Sequence, residues 1–178
     1  MSRFFSYKDY LSILRSIFVP KFIYEHVEDI NLDELLDLGI NVLFLDIDNT
    51  VVALSERKIS LKRLNWLERA KMLGFRVYFV SNNSSFKRIE AVCQQAKLTG
   101  IYFACKPFVF STKEFMQKQN VQSHKLAVVG DQLFTDVILG NWLGACAILV
   151  DPIDKRLSFF KTFQRQIELQ LLTWLRKH

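Results

Sequence analysis

The sequence lacks any apolar stretch close to the roughly 20 residues that a membrane-spanning helix requires, and it does not open on a signal-peptide pattern. Internal repeats, low-complexity tracts and Gly/Ser linkers are absent as well. Half of its 178 residues are hydrophobic, which excludes an intrinsically disordered chain. We therefore expect one globular domain with a sizeable core.

Cysteine and histidine are scarce, with three residues of each. The cysteines form no CxxC pair, and an odd number without that spacing is typical of a reduced, cytoplasmic protein. The histidines share no metal-ligand spacing, so a zinc site is not expected.

The charge is unbalanced, because 24 Lys and Arg against 18 Asp and Glu give a net charge of +6. A positive protein favours a polyanionic partner, which can be a phosphorylated metabolite, a nucleic acid or an anionic membrane surface. The basic residues form no consecutive block, and there is no aromatic RNA-binding signature. The charge does not choose among these partners; we expect a phosphorylated small molecule or a lipid head group, and no nucleic acid.

Two carboxylates, Asp46 and Asp48, directly follow the apolar run 42–45, which has the pattern of a fully buried strand. Because side chains alternate along an extended chain, both carboxylates are expected on the same side. Their charges repel each other unless a cation sits between them, and oxygen ligands without a nearby histidine favour Mg²⁺. The alternative is a turn in which the Asp, Asn and Thr side chains satisfy local backbone groups.

Apolar periodicity and capping residues predict alternating strands and helices along the chain. Alternation of this kind predicts an α/β fold, a Rossmann-like three-layer sandwich with a central parallel sheet. Right-handed crossovers then bring the carboxyl end of every strand to one edge. Capping boxes are predicted at Asn31–Glu34 and at Ser111–Glu114. The predicted strands are 42–45, 75–80, 101–104, 126–129 and 145–150, and the predicted helices are 4–18, 32–38, 61–73, 86–97, 108–119, a segment ending at 143, and 156–177.

The first and last predicted helices carry aromatic side chains on their apolar faces. We expect residues 1–40 to form a helical segment that packs on the core, or that contacts a membrane surface through residues 1–20. Residues 41–178 are expected to form the core, including the C-terminal helix. The predicted apolar stripes are Tyr7, Leu11, Leu14 and Phe18 in the first helix, and Phe160, Phe163, Ile167, Leu171 and Trp174 in the last.

Polar residues follow three further predicted strands. Asp131 can join Asp46 on a Mg²⁺ ion. The Ser81 hydroxyl and the backbone N–H groups from Asn82 onward are suited to phosphate oxygens. Lys106 can neutralise both a phosphoryl group and the crowded carboxylates, and the following proline keeps it extended at the strand end.

Each of these residues also has a structural alternative. Ser81 can cap a helix, with Asn82 as a turn former, and Lys106 can be an ordinary solvated lysine. Asp136 can cap the helix that follows it, or brace Lys106 without touching a metal.

These residues resemble the four motifs of the haloacid dehalogenase superfamily of phosphatases. The sequence is closer still to the YqeG-type branch, in subfamily IIIA, which is related to mitochondrial-type phosphatidylglycerophosphate phosphatase. The likeness covers most of the chain, from Pro20 to Leu172. It is carried by Asp46-x-Asp48-x-Thr50, Val80-Ser81-Asn-Asn83, Lys106-Pro107, Val129-Gly-Asp131-Gln-Leu-Phe-Thr-Asp136-Val137, Ile148-Leu-Val-Asp-Pro-Ile153 and Thr162-Phe-Gln-Arg-Gln-Ile-Glu168.

The resemblance implies a Mg²⁺-dependent phosphomonoester hydrolase. Asp46 would attack phosphorus and become an aspartyl phosphate. Asp48 would protonate the leaving alkoxide and then deprotonate the hydrolytic water. Asp46, Asp48 through its backbone carbonyl, and Asp131 would bind Mg²⁺. Thr50 would orient its loop through its hydroxyl, and Asp136 would support the site.

The leading substrate that the resemblance implies is phosphatidylglycerophosphate, hydrolysed to phosphatidylglycerol and phosphate by a cytoplasmic protein that can lie on the inner face of the membrane. The alternatives are a phosphatase of nucleotides, phosphosugars or phosphoproteins, and a non-catalytic phospho-binding module. Only 32 residues lie between Asp48 and Ser81, and 24 between Ser81 and Lys106, so no inserted cap domain is expected. Trp142 and Cys105 stand where the branch usually has basic residues, which bears on substrate preference.

Overall fold

The computed structural model describes residues 6–154 and 159–177. Its centre is a parallel sheet of six strands in the order β1-β6-β5-β2-β3-β4. The strands are β1 (Phe22–Tyr24), β2 (Val42–Leu45), β3 (Arg76–Val80), β4 (Thr99–Ile101), β5 (Leu126–Gly130) and β6 (Cys146–Val150).

Helices connect the strands, as the alternating pattern predicts. Short 3-10 turns lie at Val27–Asp29 and Ser123–Lys125, and a π-helical segment at Leu133–Val137 leads into α6. The helices are α1 (Tyr7–Phe18), α2 (Leu32–Asp37), α3 (Leu61–Met72), α4 (Phe86–Ala96), α5 (Phe110–Lys118), α6 (Ile138–Leu143) and α7 (Phe159–Lys177).

Strand β2 runs through the middle of the sheet and is buried on both faces. Leu43 and Leu45 pack in one core with residues of α2, α3 and α4. Val42 and Phe44 point to the opposite face and pack with residues of α5 and α6. This alternation produces the predicted three layers, with helices on both faces of a parallel sheet.

The first 40 residues contribute to the sheet as well as supplying helices. Strand β1 follows Pro20 and extends the sheet by pairing with β6. It has only three residues, too few for a strand to be recognised from alternating hydrophobic residues in the sequence. Helix α1 packs against α6 and α7, and the Asn141 side chain donates to the carbonyls of Ile17 and Val19. Of the predicted α1 stripe, Leu11 is buried whereas Tyr7 is exposed.

The predicted start of α5 is wrong. The helix begins at Phe110, and the Ser111 hydroxyl donates to the Ala104 carbonyl, so it does not cap the helix. The predicted strand 101–104 is displaced to Thr99–Ile101, because Phe103 has a left-handed backbone that ends the extended geometry. Lys106 therefore lies in a loop beyond the strand end.

The predicted face of the last helix is wrong at two positions, although Leu171 packs against the core as predicted. Ile167 and Trp174 are exposed, whereas Glu168, Leu172 and Leu175 are buried. The side chains of Phe160 and Phe163 lie outside the described residues. Helix α7 has apolar residues around most of its circumference, so spacing alone does not identify its buried face.

Within residues 6–154 and 159–177, none of the helices is both long enough and apolar enough to cross a membrane.

Candidate active site

The carboxyl edge of the sheet brings together residues that follow three neighbouring strands. Asp46 follows β2, which lies between β5 and β3. Asp131 follows β5 on one side, and Ser81 follows β3 on the other. The Asp46 N–H donates to the Val129 carbonyl at 2.9 Å, which extends the sheet register up to the carboxylate. All three side chains are buried, as expected at the ends of fully buried strands.

Lys106 bonds two carboxylates at this edge. Its Nζ lies 2.6 Å from Oδ1 of Asp46 and 2.6 Å from Oδ1 of Asp136. Only 6% of the Lys106 surface is exposed, so the alternative of a solvated lysine is wrong. The Asn82 side chain fixes the Lys106 backbone from both sides: its Oδ1 accepts from the Lys106 N–H at 2.7 Å, and its Nδ2 donates to the Lys106 carbonyl at 2.9 Å.

The buried charges shift one another's pKa. Burial raises the pKa of Asp46 to about 7, although the neighbouring Lys106 acts in the opposite direction, and repulsion from Asp136 adds to the rise. Burial alone would lower the pKa of Lys106, but the charges of Asp136 and Asp46 outweigh it and raise that pKa above its ordinary value. The Lys106 ammonium therefore stays charged, and the pKa of Asp46 lies near neutral pH.

Asp48 is held by a different cation. Oδ1 of Asp48 accepts from Nε of Arg88 at 2.8 Å, and Oδ2 accepts from Nδ2 of Asn83 at 2.8 Å. The same guanidinium donates to the backbone carbonyls of Ala53 and Glu56, so it ties the loop after Asp48 to helix α4. Arg88 could not be identified from the sequence, because no local pattern distinguishes an arginine that binds a carboxylate from a solvated arginine in the first turn of a helix.

Asp136 sits against Gly130. A Cβ on Gly130 would overlap the carboxyl group of Asp136, so the glycine makes room for this side chain at the end of β5. Oδ2 of Asp136 also accepts from the Gln132 N–H at 3.1 Å. The carboxylate thus braces Lys106 and the loop after Asp131 together, which matches the expected bracing role.

Ser81 and Thr50 differ in their contacts. The Ser81 hydroxyl oxygen accepts from the Asn83 N–H at 3.0 Å, which shapes the turn after β3. The Thr50 hydroxyl is buried and has no hydrogen-bond partner among the described residues. The expected orienting hydrogen bond from Thr50 is therefore not seen. The neighbouring Asn49 fixes this turn, because it adopts φ +70° and its Oδ1 accepts from the Leu54 N–H at 3.2 Å.

The donor set at this edge fits a hard divalent ion. Oδ2 of Asp46 is buried and has no hydrogen-bond partner in the described part of the chain, and Asp131 lies beyond the neighbouring strand. No group of three or more His, Cys, Asp or Glu side chains in the described ranges forms a metal cage. Two carboxylates plus the Asp48 backbone carbonyl would leave the remaining positions to water and substrate, as Mg²⁺ prefers.

A groove of about 600 Å³ lies beside Asp48 and is lined by Leu54, Arg57, Lys87 and Arg88, among others. Arg57 and Lys87 are exposed, as is the acidic Glu56 that lines the same groove, so the basic side chains are in excess there. Cys105 is exposed next to Lys106, and Trp142 is about half exposed on α6.

Known proteins share this sequence pattern. A family model described as mitochondrial PGP phosphatase matches residues 9–153. The probable phosphatase YqeG of Bacillus subtilis (strain 168) is 28% identical over 165 residues, covering 93% of this chain and 95% of that protein.

Solved structures share the fold. An uncharacterized protein from Listeria monocytogenes serotype 4b superposes with a TM-score of 0.54 at 17% identity, covering 78% of this chain and 100% of that one. The cobalt-bound deoxy-D-mannose-octulosonate 8-phosphate phosphatase YrbI from Haemophilus influenzae gives a TM-score of 0.50 at 10% identity, covering 76% and 89%.

The matched segment 9–153 spans most of the chain and contains every residue of the site described above. The chain therefore belongs to the mitochondrial PGP phosphatase family and is a phosphatase of the haloacid dehalogenase type.

Proposed function

We propose that the enzyme hydrolyses phosphatidylglycerophosphate to phosphatidylglycerol and phosphate, with Mg²⁺ as cofactor and an aspartyl phosphate on Asp46 as intermediate. The observation that carries the chemistry is the grouping of Asp46, Lys106 and Asp136 by two ion pairs at the carboxyl edge. Parallel sheets bind their ligands at this edge.

Asp46 is the proposed nucleophile. One of its oxygens attacks phosphorus, the bond from phosphorus to the leaving oxygen breaks, and the phosphoryl group is transferred to the carboxylate. Burial favours this role because a desolvated carboxylate is a stronger nucleophile than a hydrated one. The ion pair with Lys106 stabilises the ionised form of Asp46.

Asp48 is the proposed acid and base. In its protonated form it gives its proton to the departing alkoxide, which leaves as the alcohol. The resulting carboxylate, the form that accepts from Arg88 and Asn83, then takes a proton from the water that hydrolyses the aspartyl phosphate, which restores the acid. Arg88 and Asn83 orient its two oxygens, so the carboxylate has a defined position relative to the loop that carries Asp46.

Ser81 and Lys106 are proposed to bind the transferred group. The Ser81 hydroxyl oxygen accepts from a backbone N–H, which leaves its own hydrogen for a phosphate oxygen. The Asn82 side chain is occupied with Lys106, so its contribution to phosphate binding falls to its backbone N–H. A bound Mg²⁺, held by Asp46, the Asp48 carbonyl and Asp131, would supply charge stabilisation for the phosphoryl group.

A lipid substrate is supported by the family match. Residues 49–80, all of which are described, hold only loops, α3 and β3, which supports the expectation that no cap domain is inserted at this point of the chain. The groove is lined by three basic side chains, Arg57, Lys87 and Arg88, against one acidic side chain, Glu56, and Arg57 and Lys87 can supply positive charge for the second phosphate of the lipid head group. We place the enzyme in the cytoplasm, at the inner face of the membrane.

Phosphate release from a substrate panel tests the proposal. The panel contains phosphatidylglycerophosphate in detergent micelles, a nucleotide, a sugar phosphate and a phosphopeptide, each with Mg²⁺ and with EDTA. We expect Mg²⁺-dependent release, fastest from the lipid. Asp46→Asn should abolish it, whereas Asp37→Asn, the same change at an exposed aspartate of α2, should not. Phosphate release from the other monoesters but not from the lipid would refute phosphatidylglycerophosphate as the substrate. Turnover by folded Asp46→Asn would refute Asp46 as the nucleophile.

A further inference from the structure

Five large aromatic side chains are exposed on the segments that follow β3 and β4. We call this set the aromatic rim. Aromatic side chains in such number are uncommon on a surface that only water covers. The rim consists of Phe86 (52% exposed), Tyr102 (51%), Phe103 (63%), Phe108 (59%) and Phe110 (80%).

The rim borders the active site. Phe86 begins α4, the helix whose Arg88 holds Asp48. The Phe103 N–H donates to the Asn83 carbonyl at 3.3 Å, and the Phe108 N–H donates to the carbonyl of Cys105, next to Lys106. The rings of Phe86 and Tyr102 meet edge to face with their centroids 5.5 Å apart, which joins the two segments.

The loop that carries the rim has an unfavourable backbone. Phe103 adopts φ +53° and Cys105 adopts φ +56°, in the left-handed region that side chains with a Cβ seldom occupy. Between and beyond them, Ala104 and Lys106 are buried. This alternation buries Lys106 in the site while Phe103 remains exposed. Strain of this kind concentrates where a segment has a function.

Positive charge lies beside the aromatic rings. The groove next to Asp48 is lined by the basic side chains of Arg57, Lys87 and Arg88 and by one acidic side chain, Glu56. The chain as a whole carries a net charge of +6. Exposed rings flanked by basic side chains combine the two interactions by which a protein surface binds an anionic bilayer: burial of rings at the head-group level and attraction to lipid phosphates.

We propose that the aromatic rim and the basic groove dock the enzyme on an anionic lipid bilayer, with the active site facing the membrane. This proposal rests on the lipid substrate proposed above. A protein seated on the rim would cover the site, whereas a bilayer that contains the substrate presents it there. The exposed side chains of α1 are then not the principal membrane contact.

Sedimentation with vesicles tests the docking surface. The full chain is mixed with vesicles of phosphatidylcholine alone, or of phosphatidylcholine with about one third phosphatidylglycerol. We expect binding to the anionic vesicles only. Phe103→Ser/Phe110→Ser should weaken binding about tenfold or more, because two rings leave the interface. Tyr7→Ser/Ile13→Ser, a matched change on the exposed face of α1, should bind as the parent does.

Further variants keep the outcome decisive. Lys87→Glu should also reduce binding to anionic vesicles. If the double variant misfolds, Phe110→Ser alone, which changes the most exposed ring of the aromatic rim, should weaken binding. Circular dichroism and the midpoint of urea unfolding report whether each variant is folded.

Loss of vesicle binding in the α1 variant but not in the rim variants would overturn the proposal. Equal binding to both kinds of vesicle, or rim variants that change only self-association in light scattering, would overturn it as well. A parent protein that binds anionic vesicles through the rim, yet releases no phosphate from phosphatidylglycerophosphate, would support the docking surface and refute the lipid substrate.

Discussion

Arg88 donates from Nε to Oδ1 of Asp48 across 2.8 Å, and both side chains are largely buried. Asp46, two residues earlier, is paired with Lys106 instead. The sequence alone predicts one cation, Mg²⁺, between the two neighbouring carboxylates. In the structure Asp46 pairs with Lys106 and Asp48 pairs with Arg88, so each carboxylate has its own cationic partner. This arrangement suits two groups with different proposed tasks, a nucleophile and a proton carrier.

The first prediction concerns Arg88 as a positioning residue. Arg88→Met should lower kcat by about ten- to hundredfold with a smaller change in KM, because Asp48 loses the group that orients it. Arg88→Lys should fall between, since lysine restores a charge without the guanidinium fork that also reaches two backbone carbonyls. Steady-state kinetics on a soluble phosphomonoester, with Mg²⁺, measure both constants.

The matched control is Arg69→Met, because Arg69 forms an exposed ion pair with Asp33 and lies outside the site. It should leave kcat unchanged. If folded Arg88→Met had the parent's kcat, Arg88 would not position Asp48 for catalysis.

The sequence predicted the site's location because fully buried parallel strands leave continuous apolar runs. The ends of those runs identify Asp46, Ser81 and Asp131 without any tertiary information. Lys106 and its carboxylate partners are 60 and 30 residues apart in the chain, yet the parallel topology alone brings them to one edge.

Features that depend on side-chain reach were not predictable in the same way. Arg88 reaches Asp48 from helix α4, so this contact depends on how α4 is placed against the turn after β2. The buried face of α7 depends on Glu168, which is 2% exposed and whose Oε1 accepts from the Phe134 N–H at 3.4 Å. A charged residue on a buried face contradicts the apolar stripe on which the prediction depended.

The second prediction concerns the stability that Lys106 provides. Lys106→Met should lower the free energy of unfolding by about 3–5 kcal/mol at pH 8, because it leaves Asp46 and Asp136 buried without a counter-charge. Lys118→Met is the control: Lys118 pairs with Glu114 four residues earlier on the surface of α5, and its loss should cost far less, because solvent screens an exposed pair. Urea unfolding measures both; equal costs would refute the ion-pair account.

The third prediction concerns pH in the absence of metal. The pKa of Asp46 is raised from 3.8 to about 7, so the folded state holds a proton that the unfolded state has already lost across that interval. The contribution of this group to stability is therefore complete below about pH 4 and is lost as the pH rises through about 7.

Asp46→Asn removes the titrating group. With EDTA present, the unfolding free energy of the variant relative to the parent should increase between about pH 4 and 7, by at most about 1.4 kcal/mol per pH unit, and should level off above that range. Urea titrations at several pH values measure the difference. Parallel curves for parent and variant would show that the Asp46 pKa is ordinary.

The fourth prediction concerns the space that Gly130 leaves for Asp136. In Gly130→Ala the new methyl group would overlap the Asp136 carboxyl, which must move and give up its bonds to Lys106 and to the Gln132 N–H. We expect a loss of about 1–3 kcal/mol in unfolding free energy from overpacking, together with a large fall in kcat, because Lys106 would be left with Asp46 alone. The control is Gly74→Ala, in which an added methyl group meets no neighbour but the backbone is strained. Gly74 has φ +87° and nothing within 4 Å of an added Cβ. This variant should lose about 1 kcal/mol of unfolding free energy through backbone strain and keep its phosphatase activity. If both variants lost stability equally and Gly130→Ala retained full activity, the close contact between Gly130 and Asp136 would have no part in holding Lys106 at the site.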